Sequence, residues 1–69
     1  MIDKELAQEW IEKSGKSRTY IADKLGITPQ SLYNKVTGKT DFTLREAELF
    51  CKEVGITKLA DKKALFLGI

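Results

Sequence analysis

Residues 17–38 read SRTYIADKLGITPQSLYNKVTG, a stretch that spells a helix, a tight turn and a second helix. Ile21 and Leu25 are four apart and so share one helical face, with Ala22 beside them small enough to let another helix come close. Gly26 ends the first helix, because glycine enters the left-handed conformation without a steric penalty, and Ile27 then gives the turn an apolar plug. Thr28 and Pro29 restart the chain. The threonine hydroxyl can accept from a backbone N–H of the new first turn, and proline suits the first helical position, where its missing N–H costs no bond.

In the second helix Leu32 and Val36 face inward, which leaves Gln30, Ser31 and Asn34 outward, with Tyr33 and Thr37 at the edges. That face is polar and nearly uncharged in a chain that is 32% charged. A merely solvated face would carry more Lys and Glu, whereas amides and hydroxyls are the groups that pair with base edges in a major groove. The second helix is therefore the expected reader of DNA.

Working outward, the length predicts one domain spanning residues 1–69. A chain of this size buries only about 60% of its unfolded surface, so it has little spare stability and no room for a deep substrate cleft. It has no histidine and one cysteine, Cys51, which excludes an internal disulfide and the usual zinc-ligand sets. No metal, cofactor or small-molecule substrate is expected. Nor is an enzyme, since a paired acid and base in one cleft is not in view. A reducing, cytoplasmic location follows as the default. No apolar run approaches the roughly 20 residues of a membrane span, and MIDKELAQEW lacks the basic-then-apolar order of a signal peptide, so no membrane partner is expected.

The net charge of +2 is unevenly placed. Residues 1–15 carry Lys4 and Lys13 against Asp3, Glu5, Glu9 and Glu12, a net of −2, whereas residues 16–40 carry Lys16, Arg18, Lys24, Lys35 and Lys39 against Asp23 alone, a net of +4. Residues 41–69 hold five of each sign. Positive charge on the segment expected to read DNA is what counterion release from a phosphate backbone would require.

The first helix is expected from about Asp3, as cap, to Ser14, with Gly15 ending it and Ile2, Leu6 and Trp10 as its inward stripe. Trp10 reads as core. Ser17 caps the next helix, and Arg18 in its first turn opposes the helix dipole unless a phosphate sits there. Gly38 is expected to close the third helix, after which Lys39 and Thr40 enter a polar loop within reach of phosphate. Thr43 and Glu46 form a capping box for a fourth helix, with Phe42 and Ala47 as its hydrophobic staple, and with Leu44, Ala47, Cys51 and Val54 inward and Phe50 beside them. Cys51 reads as a small buried hydrophobe. A short fifth helix over 58–65, capped by Thr57, leads into an apolar tail whose Leu65, Phe66 and Leu67 are candidates for dimerisation.

Arg18, Ile21-Ala22, Leu25-Gly26-Ile27-Thr28, Leu32 and Gly38-Lys39 together resemble the Xre/Cro family of helix-turn-helix regulators over roughly residues 4–55. The resemblance implies an all-α bundle of four to five short helices and places base reading on Thr28, Gln30, Ser31 and Asn34. Arg18 stands where the family often has glutamine, which makes its role electrostatic, and Arg18, Lys35, Lys39 and Thr40 become the candidates for phosphate. Pro29 departs from relatives that place a base-contacting glutamine there, so one contact is lost or passes to Gln30. Lys35 stands where many relatives are apolar, which suggests a packed stem and an outward ammonium. The implied function is a sequence-specific transcriptional regulator, a phage or bacterial Cro-like repressor that binds a palindromic double-stranded operator as a homodimer. The alternatives are the antitoxin of a toxin–antitoxin pair and an interaction module that keeps the fold without binding DNA.

Overall fold

Five α-helices make up the regular structure of residues 2–66, the residues described by the computed structural model. They are α1 Lys4–Ser14, α2 Arg18–Leu25, α3 Pro29–Val36, α4 Leu44–Val54 and α5 Leu59–Leu65, packed as an all-α bundle. Local chemistry sets most of their ends. Asp3, Ser17 and Thr28 each accept from a backbone N–H three residues on, at 3.1, 3.0 and 3.1 Å. At Gly26 the backbone turns to φ 76°, and the Ile27 N–H returns to the Ala22 carbonyl at 3.0 Å, so only Gly26, Ile27 and Thr28 separate α2 from α3. A side chain at Gly26 would meet open space, so the reason for glycine there is the backbone angle.

The core lies where α2 packs on α3 and α4 while α1 crosses α4. Ile21, Leu32, Val36, Phe50 and Leu65 are fully buried, and Ala7 and Ala22 mark close helix approaches. Trp10 is half-buried against this core, with the Lys13 ammonium 5.5 Å from its ring centre. Phe42 lies 5.3 Å from Phe50 and 5.7 Å, edge to face, from Phe66. The Asp3 N–H donates to the Leu65 carbonyl at 2.8 Å, joining the start of α1 to the end of α5.

Three expectations change. Leu44 is 77% exposed rather than inward. Side chains lean toward a helix's N-terminus, so the first residue of α4 projects beyond the bundle's edge although its spacing to Ala47 and Cys51 fits the inner face. Lys58, not Thr57, holds the cap position of α5, and no side chain caps that helix. Gly38 closes α3 as expected: it follows the cap Thr37 with φ 83°, its N–H donates to the Lys35 carbonyl at 3.2 Å, and the Lys39 N–H donates to the Asn34 carbonyl at 2.9 Å. Leu65 is fully buried inside the single chain and Phe66 is half-buried against Phe42, so the expected dimerising tail is largely core; Leu67 lies outside the described residues.

The capping box of α4 also fastens α3. Glu46 accepts from the Thr43 backbone at 2.9 Å and pairs with the Lys35 ammonium at 3.1 Å. The Thr43 N–H is the main cause holding the Glu46 carboxyl below its ordinary value of 4.5, with burial opposing and Lys35 reinforcing it. A lowered carboxyl contributes stability in full above its unfolded value, and this is lost as pH falls through the folded one. Glu46→Gln keeps an acceptor for Thr43 but loses the charge. It is expected to melt a few degrees below the wild type at neutral pH, about 0.2–1 kcal/mol for such a pair. The gap should close as pH falls below 4.5. A gap that persists in acid would show that the charge contributes nothing.

Candidate nucleic-acid interface

The start of α3 carries the residues expected to read bases, and the fold holds them together. Thr28 is the cap, its hydroxyl oxygen engaged by the Ser31 N–H at 3.1 Å, while the hydroxyl hydrogen stays available to donate. Gln30 is exposed, and its Nε2 donates to Asn34 Oδ1 at 3.2 Å across one helical turn. This bond consumes one donor and one acceptor and leaves Gln30 Oε1 and Nδ2 of the half-buried Asn34 as an acceptor and a donor outside it. An adenine presents the complementary pair in the major groove, the N6 donor and the N7 acceptor. Ser31 is half-buried, and Tyr33, half exposed, flanks the pair. Thr37 is not part of this face in the expected way, because its hydroxyl donates back to the Tyr33 carbonyl at 2.8 Å.

The cations divide into two groups. Lys35 does not point outward: its ammonium bonds the Asp41 carbonyl at 2.9 Å and Glu46 at 3.1 Å, and its side chain is only 15% exposed. This corrects its placement among phosphate-binding candidates, since its ammonium is already turned inward onto two acceptors. Lys16 is likewise held by the Glu53 carboxylate at 3.1 Å and the Glu53 carbonyl at 2.9 Å. Two of the five cations in residues 16–40 are thus neutralised by α4, and the segment offers less free positive charge than its composition suggests.

Arg18 donates to Gln8 Oε1, a neutral partner that keeps its full charge and steers the guanidinium toward α1. Lys39 and Thr40 are exposed just past the end of α3, and among the described residues Lys39 has no ion-pair partner. One feature escaped the sequence reading. Tyr20 is 44% exposed on α2, with the Lys16 and Lys24 ammoniums 5.6 and 5.2 Å from its ring centre. The spacing of four between Lys16, Tyr20 and Lys24 was its signal.

Cys51 is 1% exposed, and burial pushes its thiol above the ordinary range, which disfavours the nucleophilic thiolate. Among the described residues no helix is long and apolar enough to cross a membrane. Comparison of the chain with protein-family models, with curated proteins and with solved structures finds no match in any of the three.

Proposed function

We propose that this protein is a sequence-specific DNA-binding transcriptional regulator, a phage or bacterial Cro-like repressor that works in the cytoplasm and reads the major groove with α3. The observation that carries this reading is the amide pair of Gln30 and Asn34, bonded to each other at 3.2 Å on an exposed and uncharged face. Lys39 at one end of α3 and Arg18 at the start of α2 supply the positive charge that would position the helix on phosphates. The chain's longest extent is 27 Å, whereas half-sites on one face of the duplex lie about 34 Å apart, so a palindromic operator would need two copies.

Gln30→Ala and Asn34→Ala are expected to cost about 1–3 kcal/mol on the preferred site and little on random DNA, with a nearly unchanged salt slope. Lys39→Ala should instead weaken both DNAs alike and flatten the slope of log affinity against log salt by about one unit. Lys35→Ala should leave the slope unchanged, because its ammonium is committed to Glu46. A preferred site selected from random duplexes, followed by binding across a salt series, decides the matter. Equal losses on both DNAs for the two amide variants would remove α3 as reader, and an absence of salt-sensitive retardation would leave an interaction module.

A further inference from the structure

A groove of about 510 Å³ lies between α4 and α5. Its volume falls within the roughly 300–1,000 Å³ that small-ligand sites occupy. Phe42, Ala47, Cys51 and Phe66 give it an apolar lining, which the exposed Leu44 and Leu59 extend at the border. Three lysines and two carboxylates also line it, Lys35, Lys62 and Lys63 against Asp41 and Glu48. Lys35 is already engaged, since its ammonium bonds the Asp41 carbonyl at 2.9 Å and Glu46 at 3.1 Å. The remaining charges balance in number but not in depth. Lys63, Asp41 and Glu48 are exposed, where water and salt screen them, whereas Lys62 is half-buried and screened less. Among the described residues no carboxylate pairs with Lys62, and its ammonium lies close enough to Cys51 to oppose the upward push that burial exerts on that thiol. A neutral apolar ligand would leave this ammonium without a counter-charge, and a small inorganic anion would leave the aromatic lining wet.

We infer that this groove binds a small amphipathic carboxylate, an aliphatic chain ended by one carboxyl group, with the chain against Phe42, Ala47 and Phe66 and the carboxylate on the Lys62 ammonium. Neither Gln30 nor Asn34 lines the groove, and binding there needs no DNA, so this site and the proposed function can each fail alone.

Isothermal titration calorimetry of the full chain with octanoate, below its micelle-forming concentration, tests it. Saturable binding of one octanoate per chain is expected. Octanol should bind about tenfold more weakly, because it covers the same lining but gives the ammonium no charged partner. Lys62→Met keeps an apolar stem and should lose about tenfold in octanoate affinity while leaving octanol unaffected. The same change at the exposed Lys63 should cost less than about threefold. Ala47→Leu adds bulk to the lining and should weaken both ligands, with circular dichroism checking that the helices persist. An absence of saturable binding, an octanol affinity equal to that of octanoate, or indifference to Lys62→Met would each overturn the inference. So would an octanoate affinity that falls as the protein concentration rises, which would show a second copy covering the groove. Retardation of random DNA at low salt by Lys62→Met, followed separately, tells loss of the ligand site from loss of DNA binding.

Discussion

Leu32→Ala is expected to leave the domain unfolded, or at the edge of unfolding, at room temperature. Leu32 is completely buried between α2 and the rest of the core, and Thr28 and Pro29 fix the start of its helix, so α3 cannot shift to fill the space. Removing a buried leucine side chain costs about 2–5 kcal/mol, and a core of this size rarely supplies more than about 3–5 kcal/mol in all. Tyr33 next to it is half exposed, and Tyr33→Ala should change stability by no more than about 0.5 kcal/mol. Thermal melting followed by circular dichroism compares the two. A Leu32→Ala protein that melts with the wild type would show that the inward face of α3 is wrongly placed.

Phe50→Ala should be at least as damaging, at about 3–5 kcal/mol. Phe50 is the largest fully buried side chain, and its loss also removes the support for Phe42, whose ring bridges it to Phe66. The contrast is Leu44→Ala on the same helix. The hydrophobic spacing of α4 makes Leu44 look like core, yet its exposure leaves almost nothing to lose in the monomer. Chemical denaturation of both variants should separate them by several kcal/mol, and comparable losses would put Leu44 back inside.

What the sequence made legible was whatever neighbouring residues decide among themselves. The caps at Asp3, Ser17 and Thr28, the reversal at Gly26 and the box of Thr43 with Glu46 all bond within a few residues, and all formed as read. The Gln30–Asn34 amide pair followed from the same helical spacing. Contacts between distant residues were illegible. Nothing local tells that Lys16 will find Glu53, or that Lys35 will turn back to Glu46 rather than reach for solvent. The apolar end of the chain misled for a related reason: Leu65 and Phe66 look free for a partner until α5 lies against α1 and takes Leu65 inside. Leu44 shows the limit of periodicity, which states on which side of a helix a residue lies but not whether anything stands opposite.

The bond from the Asp3 N–H to the Leu65 carbonyl has a bearing on how the molecule breathes. Ends of small domains usually fray independently, each opening at little cost. Here the cap of the first helix and the last turn of the fifth share a bond, so neither can loosen without disturbing the other. Amide exchange at Asp3 would accordingly report the detachment of α5, so that protection at the start of the first helix reads out the packing of the last.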